Sequence, residues 1–189
     1  IRLQLEMLSK NKESEELLKD VDEMQYMLET YLDFSQTVSS EENSIVNINE
    51  MIEEITETSK EKNKSIIFKS SSENHINHKC KYIALKRCII NLVNNAKAYG
   101  DQIIISLSET NYEININIED DGPGINEKDY EKALKPFQRL DSSRNQNIAG
   151  SGLGLSISQD IIKTLDGNLS LSKSIIGGLK VEIQLPKNS

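Results

Sequence analysis

Glu113-Ile-Asn-Ile-Asn-Ile-Glu-Asp120 alternates apolar and polar residues without a break and runs directly into Asp121-Gly-Pro-Gly-Ile125. The alternation puts Ile114, Ile116 and Ile118 on one face of a strand and the asparagines on the other. Such a strand has one wet face, as in an antiparallel sheet covered on a single side. A strand end holds a side chain rigidly. The Asp120 carboxylate can there accept a hydrogen bond from an exocyclic amine such as that of adenine. Gly122 and Gly124 would let a flat ring approach the backbone closely. Taken alone, the same residues read first as a tight turn, since Asp-Gly-Pro-Gly is turn chemistry.

Working outward, Ile103-Ile-Ile105 reads as a buried strand, joined to the alternating one by a hairpin turn around Asn111. Before it, Ile83 to Tyr99 reads as a helix ended by Gly100. Asn91 and Asn95 sit one turn apart on one face of that helix, with Arg87 on the same stripe. Ile83, Leu85, Cys88, Leu92 and Ala96 point largely elsewhere, into a core. Two amide oxygens a turn apart can reach Mg²⁺ and the phosphates it carries; equally, such a pair can simply face water. Further upstream, a short strand at Ile45–Ile48 precedes a helix to about Asn63, with Asn49 as its N-cap, and a strand from Ser65 to Lys69 follows.

Downstream, Ile125 to Gly150 has little periodicity and is too long for a routine connection, so it reads as a lid. Gly150-Ser151-Gly152-Leu153-Gly154-Leu155 then opens a helix from Gly152 to Leu165. Successive glycine amides at a helix start form a nest for phosphate oxygens, or else a hinge. No Gly-Lys-Ser/Thr follows, and the glycine spacing is wrong for a dinucleotide fingerprint. Strands near Leu169–Leu171 and Lys180–Leu185 complete residues 41–189. The fold class is α/β (α+β): a two-layer sandwich of a mixed, mostly antiparallel sheet with helices on one face.

Residues 1–40 differ in kind. Leu17, Val21, Met24, Leu28 and Tyr31 form an a/d seam that must bury itself against another helix, in a hairpin or between two copies of the chain. The acidic Ser39–Ser44 stretch marks the boundary. The chain has 189 residues and a net charge of −8, which argues against a nucleic-acid clamp. No apolar run approaches the roughly 18 to 20 residues of a membrane span, so no membrane contact is expected of this segment. Cys80 and Cys88 cannot build a disulfide scaffold, and reduced thiols in the cytoplasm are the expectation. His75, His78 and Cys80 lack a fourth ligand and fit no common zinc spacing. The start at Ile1, without Met, suggests a piece of a longer protein.

Each cluster is weak alone, but their order is specific. Asn91-x-x-x-Asn95 on a helix, Asp120-x-Gly122-x-Gly124 at a strand end, a lid, then Gly150-x-Gly152-x-Gly154 resembles the N, G1 and G2 boxes of the sensor histidine kinase ATP-binding domain. Leu134-Lys-Pro-Phe137 resembles its F box, and Gly177-Gly178 before a strand ending at Leu185-Pro186 resembles its closing strand. The likeness covers residues 45–186. Within the family, Glu119–Ile125, Pro136–Arg139 and Asp141-Ser142 look most like the osmosensing EnvZ type.

The resemblance implies ATP and Mg²⁺ as ligands. Asp120 would bind the adenine amino group, and Gly122, Gly124 and Ile125 would wall the base. Asn95 would be the Mg²⁺ ligand with Asn91 beside it, and Tyr99 would line the nucleotide. Phe137, Arg139, Leu140 and Arg144 would come from the lid, and Gly150 to Leu155 would wrap the phosphates. Hydrolytic relatives carry a Glu where Asn91 stands; Asn cannot take a proton, which favours phosphoryl transfer over hydrolysis. The family usually has Lys or Arg where Ala98 stands, one position beyond Lys97 and about 100° around the helix. Residues 1–40 resemble the C-terminal part of the dimerisation and phosphoacceptor hairpin, which implies a homodimer. No acceptor-histidine box occurs, so the chain alone is not expected to phosphorylate itself. The implied function is transfer of the ATP γ-phosphate to a histidine elsewhere, for relay to a response regulator, in a parent protein anchored at the inner membrane. The alternative is a degenerate nucleotide-binding interaction or phosphatase module with little kinase activity.

Overall fold

The computed structural model describes residues 21, 41–72, 74–136, 138 and 153–187. The chain divides into two units, residues 1–36 and 37–189, and every element named below belongs to the second. Apart from Val21, the helical seam expected at Leu17–Tyr31 lies outside the described residues.

Asn47 closes strand β1 (Ser44–Asn47) and caps helix α1 (Ile48–Thr58). Its Oδ1 accepts the Glu50 N–H at 3.3 Å while its Nδ2 donates to Glu50 Oε1 at 2.7 Å. Asn49 is not the cap. It is buried, with Oδ1 accepting the Ile76 N–H at 2.8 Å and Nδ2 donating to Ser70 Oγ at 3.1 Å. It therefore ties α1 to the chain between strands β2 (Ser65–Ser70) and β3 (Asn77–Cys80). The helix also stops short of Asn63. The Ser59 N–H closes its last turn onto Ile55 O, and a bridge between Glu61 and Lys64 turns the chain into β2.

Strand β3 was not expected, because its inward positions are polar: His78 and Cys80 are buried while Asn77 and Lys79 are exposed. It pairs antiparallel with β1 as a separate two-stranded ribbon. Helix α2 (Tyr82–Tyr99) follows, and its cap residue Lys81 makes no side-chain cap bond. The Glu41 carboxylate does that work, accepting the Ile83 N–H at 2.6 Å and the Ala84 N–H at 3.0 Å.

Strands β4 (Gln102–Glu109) and β5 (Glu113–Asp120) form the expected hairpin. A single 3₁₀ turn (Glu127–Asp129) and helix α3 (Tyr130–Ala133) occupy the start of the segment read as a lid. Helix α4 (Gly154–Thr164), β6 (Asn168–Lys173) and β7 (Leu179–Pro186) finish the domain. The five-stranded sheet has the order β2-β4-β5-β7-β6. Only β2 and β4 pair in parallel, and α2 lies in the crossover between them.

The period of two in β5 is realised in full. Ile118 faces Ile105 and Val181, Ile116 faces Leu107 and Ile183, and Ile114 faces Leu185; all of these are buried. On this apolar face pack α1 through Met51, Ile52 and Ile55, α2 through Leu85, Ile89 and Leu92, and α4 through Ile157, Ile161 and Ile162. Asn115, Asn117, Glu182 and Gln184 line the wetter opposite face. Among the described residues no helix is long and apolar enough to cross a membrane.

Candidate functional site

Three consecutive carboxylates at the end of β5 go three different ways. Glu119 and Asp121 share one strand face and Asp120 takes the other, with the core isoleucines. Asp120 is 4% exposed. Its Oδ1 accepts the Gly122 N–H at 2.9 Å and the Leu179 N–H at 3.2 Å, and its carbonyl accepts the Gly178 N–H at 3.0 Å. Both side-chain bonds fall on one oxygen, and Oδ2 has no partner among the described residues. Burial raises the Asp120 pKa above its ordinary 3.8, against the two backbone N–H groups that lower it.

Asp121 is solvent-exposed and turns the other way. Its Oδ1 accepts the N–H groups of Asp101 and Gln102 at 2.7 and 2.9 Å, with the Gln102 bond the largest cause of its lowered pKa. This fastens the start of β4 just past the end of α2. Gly100 between them has φ −122°, so no left-handed cap ends the helix. Close approach favours glycine there: a Cβ would stand 2.7 Å from Asp121 Oδ1, which would have to shift from its two backbone donors. Glu119, 8% exposed, accepts from Ser174 Oγ at 3.0 Å and from the Ile175 N–H at 3.2 Å, in the β6–β7 turn.

Around Asp120 the wall is bare backbone. A Cβ on Gly122 would lie 2.6 Å from the Tyr99 carbonyl, and one on Gly178 would lie 2.6 Å from the Gly122 nitrogen. Gly124 has φ +68° and faces the Gly178 backbone. The structure thus brings together Asp120, Gly122, Gly124 and Tyr99 from the expected set, and adds Gly178 and Leu179. Ile125 follows, half-buried. A Gly-Gly pair before a strand was the one sequence signal for Gly178; the Asp-x-Gly-x-Gly spacing and the strand period set Asp120 apart, and nothing in the sequence showed where Glu119 and Asp121 reach.

Asn91 and Asn95 are half-buried on α2, and neither side chain is hydrogen-bonded among the described residues. Two such amide oxygens fit a hard cation that keeps some of its waters and shares phosphate oxygens. Helix α2 is joined to α4 where Cys88 Sγ meets the Ser158 carbonyl at 3.8 Å. At the start of α4, Leu153 is buried and Leu155 half-buried, and a Cβ on Gly154 would meet nothing within 4 Å. Among the described residues no side chain caps this helix, and no acid lies in its first turn, where the helix dipole is positive. Phe137, Arg139, Leu140, Arg144, Gly150, Ser151 and Gly152 lie outside the described residues. Lys97 forms an ion pair with Glu61, in the turn before β2. Cys88 is fully buried with its thiol pushed up to about 12, and Cys80 is at about 11, both by desolvation, so neither is a nucleophile.

The chain is 32% identical to the sensor histidine kinase GtrS of Pseudomonas aeruginosa over 188 residues, 99% of this chain and 38% of that protein. It is 36% identical to the sensor histidine kinase CpxA of Escherichia coli over 104 residues, 54% of this chain and 23% of that protein. The chain therefore spans well under half the length of these relatives. The catalytic domain of the histidine kinase ThkA superposes with a TM-score of 0.67 at 28% identity, covering 77% of this chain and 96% of that one. The family profile described as "Histidine kinase-, DNA gyrase B-, and HSP90-like ATPase" matches residues 80–189. From α2 to β7, then, the chain belongs to the histidine kinase-, DNA gyrase B- and HSP90-like ATPase family.

Proposed function

We propose that this chain is the ATP-binding kinase module of a sensor histidine kinase. The observation that carries the reading is Asp120: a buried carboxylate held by two backbone N–H groups on one oxygen, within a wall of glycine backbone. A base amine donated to Oδ2 would complete its hydrogen bonding. Gly122, Gly124 and Ile125 form the surface against the ring, and Tyr99 lines its edge. Asn95, with Asn91 beside it, holds Mg²⁺, which supplies charge neutralisation to the phosphates. The N-terminus of α4, with Gly150 to Leu155, takes the phosphate oxygens. Phe137, Arg139, Leu140 and Arg144 belong to the segment that covers the nucleotide, where the arginines suit the charge on a transferring phosphoryl group. Asn91 offers no base to activate water, which supports transfer to a side chain rather than hydrolysis.

The acceptor is a histidine outside this chain, on a hairpin whose C-terminal part is residues 1–40 and through which two copies pair. The phosphoryl group passes from there to an aspartate of a response regulator. The site works in the cytoplasm, with the parent protein anchored in the inner membrane. The finer likeness to the EnvZ type rests on Glu119–Ile125, Pro136–Arg139 and Asp141-Ser142 alone.

Calorimetric titration with Mg-ATP is the test. Wild type is expected to bind, and Asp120→Asn to weaken binding by about tenfold or more, since the carboxylate acceptor is charged. No binding at millimolar nucleotide overturns the reading. Transfer of label from ATP to an added acceptor-bearing helical bundle tests the kinase step.

A further inference from the structure

Glu119 looks like the wet-face neighbour of the site residue, yet it is buried and its carboxylate reaches 55 residues along the chain. It accepts from Ser174 Oγ and the Ile175 N–H, and Ser174 Oγ accepts in turn from the Ile176 N–H at 3.1 Å. Ser174 is itself buried, and the turn is closed by its N–H to the Gly178 carbonyl at 2.9 Å. The residues on the far side of that turn are the ones that touch Asp120: Gly178 N–H on its carbonyl and Leu179 N–H on its Oδ1. The path runs from the Glu119 carboxylate through the turn at Ser174 and back to Asp120, one residue along from where it began.

We propose that Glu119 and Ser174 are positioning residues that set the rotamer of Asp120, and so the discrimination for a purine with an exocyclic amine. This rests on the reading of Asp120 as the base contact. Fixed in this way, Asp120 Oδ1 is occupied by the Leu179 and Gly122 amides and Oδ2 is aimed. Released, the turn lets Leu179 N–H leave Oδ1, and the carboxylate can rotate. A site held by its supporting shell loses discrimination when that shell loosens, even with every contacting residue still present.

The experiment compares the full chain's binding of Mg-ATP with that of purine riboside 5′-triphosphate, which lacks the 6-amino group. Wild type is expected to favour ATP by about tenfold or more, and Glu119→Ala to bring the ratio to within about threefold of one. Glu119→Gln keeps a carbonyl oxygen for the Ser174 and Ile175 donors and is expected to restore most of the wild-type ratio. Should Glu119→Ala fail to fold, Ser174→Ala, which removes one hydroxyl, is expected to lower the ratio at least twofold, and Ser174→Thr to preserve it. A folded Glu119→Ala or Ser174→Ala with the wild-type ratio overturns the proposal. Asp120→Asn in the same titration separates the two ideas. If it abolishes discrimination while Glu119→Ala keeps it, only the positioning role fails. If wild type shows no discrimination, or Asp120→Asn keeps it, the base contact fails and the positioning role with it.

Discussion

The backbone N–H of Leu179 donates to Asp120 Oδ1 at 3.2 Å, so the first residue of β7 holds the last side chain of β5. Neighbouring Gly178 is pressed between the Asp120 carbonyl and the Gly122 nitrogen, each 2.6 Å from where a Cβ would stand. Backbone on both sides leaves a methyl group nowhere to go. Gly178→Ala is expected to cost about 1–3 kcal/mol of stability and to weaken Mg-ATP binding, as read by urea unfolding and by titration.

Asp120 and Asp121 respond to pH in opposite senses. The Asp120 pKa lies above 3.8 in the folded state, through desolvation, so its ionisation destabilises the fold as pH rises from 3.8 through the raised value. The Asp121 pKa lies below 3.8, through the Gln102 and Asp101 N–H groups, so its contribution is present above pH 3.8 and is lost as pH falls through the lowered value. Asp120→Asn is therefore expected to gain stability relative to wild type as pH rises through that window. Asp121→Asn is expected to lose it over the neighbouring lower window and to remain less stable at neutral pH. Urea midpoints measured across pH 3 to 7 would show the two differences diverging.

Glu41 supplies the cap that Lys81 does not give to α2. Glu41→Ala is expected to lower stability by about 1 kcal/mol and to speed hydrogen exchange at the Ile83 and Ala84 amides. Unchanged exchange at both amides would count against the cap.

Lys97 is engaged in an ion pair with Glu61, in the turn before β2. The Lys97 side chain is mostly covered, but that of Glu61 is half-exposed, so the pair is worth no more than about 1 kcal/mol. Lys97→Met is expected to change Mg-ATP affinity by less than about twofold. Ala98→Lys, one step around the helix, is expected to tighten it at low salt, where an added cation is least screened. A tenfold loss in Lys97→Met would show that Lys97 reaches the nucleotide.

The elements with a clean hydrophobic period were legible in the sequence. The expected strand Glu113–Asp120 matches β5 to the residue, and α2 differs only in starting at Tyr82. What escaped was set by contacts distant in sequence. Asn47 and Asn49 are chemically the same residue two positions apart. Only the end of β1 and the partners Ile76 and Ser70 decide that one caps while the other is buried. In β3, His78 and Cys80 fill inward positions that apolar residues usually mark, so its alternation was invisible. The Asp120-Gly122-Gly124 spacing pointed to the part of the site the structure gathers. That Gly178 packs on Asp120 and that Glu119 holds the Ser174 turn became visible only once β5 and β7 were paired, because these contacts cross more than fifty residues.

The strand order β2-β4-β5-β7-β6 places β7 inside the sheet, between two strands made before it. On a ribosome, β6 emerges with no neighbour to pair with, and β5 waits with one edge bare. Neither is closed until residues 179–186 have been synthesised. Leu179 and Gly178 arrive with that same segment, so a nascent chain has no finished grip on Asp120 while translation is under way. A chain broken before residue 179 therefore has an open sheet edge on both β5 and β6 and lacks the Leu179 donor to Asp120.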